Sequence, residues 1–407
     1  MKILMLGAAL LLPLSAHAQN ASPRNRARAP AAAVQSGTLS QHLEAALALD
    51  ASMRALEGQR TAAGARGVTA QSIIAGPPSI SGSFRSDTRG PRDQREMEMD
   101  FSAPMWLPGQ RGALRGTVTS AVAEFEQRIL LRRLEVAGLL REAWWDAAEA
   151  RRAQQLARER LGTAREIARD VTRRADLGDI PPTEALLARN ETLGAELSLA
   201  QAESNAELAV AAYRVMTGGL EPNLPVETIR ARGSHPALRA AEAAVAHAES
   251  RERLVAATPR DNPELGTFLR QENGLGTNDS TSIGLRFRLP LSTEARNAPR
   301  RAEAQSEVTR AVALLAQSRR LVDAEVRRAA QQQSAAEQAQ RLARQRLTVA
   351  NEQEGIALRA FRSGETGTFD LYRVRQLRLE AANDEGRAGI EANRARSRMN
   401  QAMGVLP

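Results

Sequence analysis

The segment EMEMDF, residues 96–101, alternates acidic and apolar side chains without interruption. In a β-strand successive side chains point to opposite faces, so Met97, Met99 and Phe101 share one face. The three acidic residues then share the other. The alternation predicts a strand with one apolar and one charged face, and the fold depends on what each face contacts.

The same apolar parity returns 186 residues later in the chain, where Ile283, Leu285 and Phe287 alternate with serine, glycine and arginine. The shift also carries Gly178 onto Gly364. One register kept over this much of the chain indicates an internal duplication. We therefore predict two copies of a unit that contains a helix, two strands, a long helix and a shorter helix.

The partner strands are predicted at residues 78–86 and 263–271, each about as long as a tilted strand that crosses a bilayer. In a soluble protein the apolar face would instead pack on a core. The membrane is favoured because the polar face carries full charges and because aromatic residues concentrate here, as in an interfacial girdle. These aromatic residues are Phe84, Phe101, Trp106, Phe268 and Phe287.

Long proline-free stretches follow the strand pairs. No proline lies between Pro108 and Pro181 or between Pro299 and Pro407, and both stretches are rich in residues that favour helices. Helices are predicted at 38–70, 109–177, 183–217, 236–258, 297–363 and 368–403. The longest would span about 100 Å. Arginine and glutamate alternate along them, which indicates local ion pairs more than a nucleic-acid-binding stripe.

The N-terminus is typical of an exported protein. Lys2 precedes a mostly apolar run at residues 3–14, and Ala16-His17-Ala18 fits a small-x-small cleavage pattern. We expect cleavage after Ala18 and a mature chain outside the cytoplasm. The predicted organisation is a signal peptide at 1–18, a flexible leader at 19–37, a first repeat at 38–217, a linker at 218–235 and a second repeat at 236–407.

Composition narrows the possible functions. The 407 residues include no cysteine, which excludes disulfides, thiolate metal sites, cysteine nucleophiles and a lipidated cysteine. The histidines lack metal-ligand spacing, and the sequence has no phosphate loop or nucleophile–base pair at useful spacing. We expect no catalysis, no cofactor and no resident metal. Met97 and Met99 are interpreted as lipid-facing side chains and not as soft-metal ligands.

Four strands cannot close a barrel, and open strand edges are not tolerated in lipid. A membrane-embedded sheet would therefore need several chains. Two, three or four chains would supply eight, twelve or sixteen strands. The arithmetic alone does not choose among them.

Several segments resemble the TolC family of outer-membrane efflux channels, including its shorter CzcC-like branch. They are residues 38–47, 101–111 and 262–266, His235-Pro236-Ala237-Leu238, and Phe361-x-x-Gly364 followed by Asp370. The resemblance implies a mainly helical homotrimer with a 12-stranded β-barrel in outer-membrane lipid, continuous with a periplasmic α-helical barrel. It also implies a periplasmic adaptor and an inner-membrane pump as partners. Without an N-terminal cysteine, anchoring would rest on the barrel alone.

In this family the turns between long and short helices form the periplasmic tip, which meets the adaptor and closes the channel. The resemblance places Gly178 and Gly364 at these turns; a helix C-cap is the other interpretation. Glu184 and Asp370 follow, and three chains would place six carboxylates in a ring that favours cations. Alternatively, each acid stabilises the first turn of a helix. Further gate candidates are Arg362, Tyr372 and Arg373.

The leading interpretation is a passive exit duct of a tripartite efflux system, for metal ions or small toxic compounds. One alternative is the outer-membrane channel of a type I secretion system. Another is a soluble periplasmic coiled-coil scaffold or adaptor. An adaptor would have one helical hairpin and compact β domains, so the strand pairs discriminate between these classes. Binding of nucleic acid is not expected.

Overall fold

The computed structural model describes residues 37–86, 94–231, 233–274, 279–363 and 365–407. The predicted signal peptide and nearly all of the predicted leader lie outside these residues. The elements in chain order are α1 (Leu39–Leu49), α2 (Ala51–Ala65), α3 (Gly67–Gln71), β1 (Ser79–Ser86), β2 (Gln94–Pro104), α4 (Gln110–Asp176), α5 (Pro182–Thr217), α6 (Pro236–Ala256), β3 (Glu264–Gly274), β4 (Ser280–Arg288), α7 (Glu294–Arg362) and α8 (Thr368–Ala402).

The predicted helix at 38–70 is divided into three helices, which corrects the expectation of one continuous block. Thr38 and Gln41 form a capping box at the start of α1. Asp50 then ends α1 and caps α2, because its carboxylate accepts a hydrogen bond from the Met53 N–H at 2.7 Å. An N-cap residue has an extended backbone, so one helix cannot run through this position.

The two long helices, α4 and α7, are each accompanied by shorter helices placed one after the other. Along α4, α2 packs beside the half near the sheet and α5 beside the other half. Along α7, α6 and α8 take the same places. The alternating charges form local ion pairs across these contacts, such as Arg165 with Glu196 at 2.8 Å. None of the helices in the described ranges has the length and apolar character required to span a membrane.

Both long helices end in the same backbone turn. The Asp179 N–H donates to the Arg174 carbonyl at 2.9 Å, and 186 residues later the Glu365 N–H donates to the Ala360 carbonyl at 2.9 Å. This closure satisfies a carbonyl that the helix end would otherwise leave without a partner. The backbone hydrogen bonds thus repeat at the shift seen in the sequence.

The four strands form one antiparallel sheet in the order β1-β2-β3-β4. Met99 of β2 lies opposite Gly82 of β1 and Leu269 of β3, and Leu269 lies opposite Ile283 of β4. Directly opposed residues of an antiparallel pair share a face. The apolar parity predicted for single strands therefore holds across the whole sheet.

The largest apolar core lies where α4 meets α1, α5 and the segment after α5. Its bulkiest members are Leu43, Leu140, Trp144, Trp145 and Tyr213. The two tryptophans pack between helices, and Trp145 Nε1 donates to the Ser397 hydroxyl of α8 at 3.0 Å. The core therefore lies near the middle of α4, between the sheet and the helical tip.

Candidate functional site

The sheet is inverted relative to that of a soluble protein, because its apolar face is exposed while the central acids of its charged face, Glu98 and Asp100, are sheltered. Met99 is 49% exposed and Ile283 is 80% exposed, whereas Glu98 is only 6% exposed. The exposed apolar face contains Ile80, Phe84, Met97, Met99, Phe101, Leu265, Leu269, Ile283, Leu285 and Phe287. A soluble sheet buries its apolar face on a core. This face needs an apolar environment supplied from outside the chain.

Ion pairs join three strands across the charged face. Arg270 of β3 lies 2.7 Å from Glu96 and 3.1 Å from Glu98 of β2. Arg286 of β4 pairs with Glu98 and with Asp100. The acids belong to the first copy and the arginines to the second, so the network ties the two copies together within the sheet.

The aromatic girdle predicted for the strands is wrong for one of its five members, Phe268. Phe84, Phe101 and Phe287 lie on the apolar face. Phe268 lies on the charged face, where its ring covers Gly284 and the Arg286 guanidinium is 5.3 Å from the ring centroid. Trp106 follows β2 and donates to the Ser72 carbonyl at 3.1 Å. The parity of β3 is sufficient to place Phe268, because it alternates in step with the charged residues of that strand.

At the opposite end of α4, Gly178 has a φ of +80°. This left-handed conformation is strained for residues with a side chain. No atom lies within 4 Å of a Cβ built at this position, so the turn itself and no close neighbour in the chain requires glycine. The C-cap interpretation is therefore confirmed for Gly178. Its counterpart, Gly364, lies outside the described residues.

Glu184 and Asp370 lie in the first turns of α5 and α8. A carboxylate in the first turn is stabilised by the helix dipole, so this interpretation fits both residues. Both side chains are exposed, and neither forms an ion pair within the part of the chain that the structure describes. Two uncompensated negative charges per chain therefore lie at the tip.

The structure brings Tyr372 of α8 into contact with Glu191 of α5. The Tyr372 hydroxyl donates to Glu191 Oε2 at 3.3 Å and accepts from Gln376 Nε2 at 2.8 Å. Burial, followed by the nearby Glu191 carboxylate, raises the pKa of the Tyr372 hydroxyl, which therefore stays protonated at neutral pH. Arg362 and Arg373 are exposed and form no ion pair among the described residues.

Reasoning from the sequence does not identify Glu191. It follows Glu184 by seven residues, which is close to two helical turns and places both carboxylates on one side of α5. This spacing is a weak signal because solvated helices show it often. Its partner Tyr372 is 181 positions away, so only the tertiary fold joins them.

Two depressions flank the α4–α5 pair near the tip. One cavity, of about 390 Å³, lies beside Tyr372. The second is a groove of about 1330 Å³ on the neighbouring face of the same helices. Exposed leucines line it together with arginines that form no ion pair within the described ranges: Leu177, Leu186, Leu193, Arg169, Arg173 and Arg189.

No family model matches the sequence, and no curated protein matches it either. The structure, by contrast, is similar to solved outer-membrane proteins. VceC from Vibrio cholerae is 17% identical and aligns with a TM-score of 0.71 over 90% of this chain and 96% of its own. The CmeC channel of Campylobacter jejuni is 16% identical, with a TM-score of 0.69 over 90% and 85%. The chain has the fold of an outer-membrane channel.

A third similar structure is that of a channel solved in its open state. The open MtrE outer-membrane channel of Neisseria gonorrhoeae is 16% identical, with a TM-score of 0.68 over 90% of this chain and 89% of its own. The mainly helical fold with a small sheet, implied by the family resemblance, is confirmed. The two long helical hairpins and the strands of eight to eleven residues differ from the single hairpin expected of an adaptor.

Proposed function

We propose that this chain is an outer-membrane channel, the passive exit duct of a tripartite efflux system. The inverted sheet carries the proposal. Exposed apolar residues on one face and ion-paired charges on the other suit strands that have lipid on one side and water on the other. In water the same sheet would leave an apolar surface uncovered. The proposed location is the outer membrane, with the helices extending into the periplasm.

The strand order supports an oligomer. β1 and β4 are the edges of the sheet, and lipid does not tolerate unpaired edges. Because β4 runs antiparallel to β1, the β4 edge of one copy can pair with the β1 edge of the next. Three copies would close a 12-stranded barrel above a helical barrel. The exposed Leu321 and Leu342 of α7 provide apolar surface for the helical part of this contact.

The groove between α4 and α5 supports docking of a periplasmic adaptor at the tip, beside the turn that contains Gly178. The family resemblance assigns Gly364 to the same docking region. Its exposed leucines suit the apolar stripe of an adaptor's helical hairpin. Arg169, Arg173 and Arg189 suit acidic residues that flank such a stripe. An inner-membrane pump connected to that adaptor would supply the energy.

The gate is inferred at the same end of the molecule. Glu184 and Asp370 of three chains would form a ring of six carboxylates, and Tyr372 would hold α8 against α5 until the channel opens. Arg362 and Arg373 are both exposed and would be the remaining residues of the proposed gate. The proposed cargo is metal ions or small toxic compounds.

The proposed precursor carries the signal peptide at 1–18 and the leader at 19–37. The mature duct then consists of the repeats at 38–217 and 236–407, joined by the linker at 218–235. The repeats contribute the two strand pairs of the single sheet.

A pair of arginine substitutions on opposite faces of the sheet tests the membrane assignment. Met99→Arg puts a charge on the apolar face and should cost about 2–4 kcal/mol per chain near the middle of the bilayer. Ser81→Arg puts the same charge on the other face, opposite Asp100, and should be tolerated. Membrane fractionation, detergent extraction and the oligomer band in mild gels measure the outcome. Recovery of the unsubstituted protein in an osmotic-shock supernatant would reject the channel.

The gate is tested in a planar bilayer with the double variant Glu184→Ala and Asp370→Ala. Loss of six carboxylates from the proposed ring should reduce cation selectivity and shift the reversal potential in a salt gradient. Glu203→Ala is a control on α5, because that carboxylate pairs with Arg158 away from the tip. An unchanged reversal potential in the double variant would remove the ring from the mechanism.

A further inference from the structure

The cavity beside Tyr372 has a composition that the channel function does not require. Five of its lining residues are apolar and come from the facing sides of α4 and α5: Ala164, Ile167, Val171, Leu187 and Ala188. Its three polar groups are the carboxylates of Glu184 and Glu191 and the Tyr372 hydroxyl. An apolar surface with a few convergent polar groups is the usual composition of a small-molecule site.

The charge of the cavity is negative. Glu184 forms no ion pair within the described residues, and Glu191 is held only by the hydroxyl of Tyr372 at 3.3 Å. Arg160 acts on Tyr372 through space and forms no ion pair with either carboxylate among the described residues. A ligand with a positive charge would therefore gain attraction that the protein leaves unused.

From this arrangement we propose that the cavity between α4, α5 and α8 binds amphipathic organic cations, compounds with an ammonium group on an aromatic or aliphatic body. The ammonium would lie between Glu184 and Glu191, and the apolar body would cover Ile167, Val171 and Leu187. A volume of about 390 Å³ suits a compound of drug-fragment size. The proposal rests on the proposed duct function and names a substrate class for it.

Binding and the contact between α8 and α5 compete for one carboxylate. The Tyr372 hydroxyl donates to Glu191 at 3.3 Å, which is long for a hydrogen bond from a hydroxyl. A charged ammonium is a stronger partner for a carboxylate than a neutral hydroxyl is. A bound cation would therefore take Glu191 from Tyr372 and loosen the attachment of α8 at the tip.

This competition makes two substitutions act in opposite directions. Glu191→Gln keeps the shape of the side chain and removes its charge, so affinity for the cation should fall at least tenfold. Tyr372→Phe keeps the ring and releases Glu191, so affinity should rise several-fold. If these residues served packing alone, the two substitutions would not change the affinity for the cation in opposite directions.

The experiment uses the full mature protein in lipid nanodiscs and three probes of similar shape: phenylpropylammonium, phenylpropanol and phenylbutyrate. Equilibrium dialysis measures affinity, and saturation-transfer NMR identifies the bound group. The cation should bind best, the alcohol weakly and the carboxylate least. Ala188→Leu, which fills the cavity, should abolish binding. Glu196→Gln on the same helix is the matched control, because that carboxylate pairs with Arg165 and lines the neighbouring groove.

Equal binding of the three probes, or cation binding that Glu191→Gln leaves unchanged, would overturn the proposal. Conductance of the same preparation in a planar bilayer separates this outcome from failure of the proposed function. Conductance without selective cation binding would reject the cavity and leave the duct intact. Absence of conductance in Tyr372→Phe as well, in which the contact between α8 and α5 is released, would reject the duct, whatever the probes show.

Discussion

The long helices α4 and α7 have nearly the same length and equivalent places in their copies, but their burial differs. Fourteen residues of α4 are buried, compared with five of α7. The difference follows from their neighbours. α4 packs against helices of both copies, whereas α7 packs mainly against α6 and α8. α4 is therefore an interior helix of the chain, and α7 is an edge helix.

Equivalent positions carry side chains that suit these surroundings. Trp145 of α4 is buried, and the residue 186 positions later is Gln331, which is exposed. Arginine is present at both Arg141 and Arg327, but only the first is buried. A shared register thus preserves the backbone while the environment of each copy diverges. In the proposed trimer, a second copy would cover the edge helix.

The two long helices should differ most in the stability lost when an equivalent arginine is replaced, Arg141 in α4 and Arg327 in α7. The Arg141 side chain is 2% exposed and donates to both carboxylate oxygens of Glu227, at 2.9 and 2.8 Å. Its removal leaves a sheltered carboxylate without a partner and should cost about 3–5 kcal/mol. Arg327→Ala at the equivalent exposed position should cost less than about 0.5 kcal/mol. Unfolding monitored by circular dichroism measures both, and equal losses would contradict the distinction between interior and edge.

Leu140→Ala and Val326→Ala compare the apolar contacts of the two helices at equivalent positions. Leu140 is fully buried, so truncation should cost about 2–5 kcal/mol. Val326 is half-buried within one chain. Its truncation should lower the free energy of unfolding of dissociated protomers by about 1 kcal/mol. Measurement in both assembled and dissociated protein sharpens the comparison. A larger cost for Val326→Ala that is present only in the assembly would place this part of α7 against another copy.

The turns that end the short helices differ in crowding. Gly218 and Gly404 have similar left-handed φ values, +71° and +76°, so alanine should cost about 1–2 kcal/mol at either position. At Gly404 an added Cβ would lie 2.7 Å from His235 Cδ2 and 2.8 Å from Pro236 Cδ. Overpacking should add about 1 kcal/mol or more there. Thermal unfolding of Gly218→Ala and Gly404→Ala compares them, and an equal decrease would show that the ring atoms move aside.

The smallest predicted change in stability is caused by pH and depends on a histidine of the first copy. His42 and Tyr213 share a buried hydrogen bond of 2.7 Å, and burial lowers the pKa of His42 below its usual value of 6.5. The unfolded chain therefore binds a proton below about pH 6.5 that the folded chain does not, and stability falls as pH decreases. At the 186-residue shift the chain has Thr228 of the linker and Met399 of α8, neither of which titrates in this range.

Denaturant unfolding between pH 7 and pH 5 measures this dependence in the unsubstituted protein and in His42→Asn. The slope should be smaller in the variant, because the imidazole that resists protonation is absent. A slope that persists unchanged would assign the pH dependence to groups other than His42.

Much of the fold could be predicted because its signals are local. The helix predicted at 109–177 differs from α4 by one residue at each end, and the prediction at 183–217 differs from α5 by one residue at its start. Prolines and glycines mark these ends directly. The expectation for 38–70 was wrong because Asp50 is a better N-cap than an interior helix residue, and its contact with Arg132 of α4 stabilises the cap.

The candidate site was predictable only in part. Strand parity identifies the apolar residues of the sheet, and the duplication identifies both tip turns. Glu191 and the cavity beside Tyr372 could not be predicted from the sequence, because the lining residues come from three helices. The ion pairs of the sheet could not be predicted either, since their acids and arginines belong to different copies.

The sequence by itself determined the periodicities of this protein: two residues for each strand repeat, 3.6 for each helical turn, and 186 for the duplicated unit. Each of these depends on residue order alone. Tertiary structure decided which of two equivalent positions is buried and which distant side chains meet. Burial and pairing depend on the packing of segments that are far apart in the chain, and a repeat in residue order carries no information about that packing.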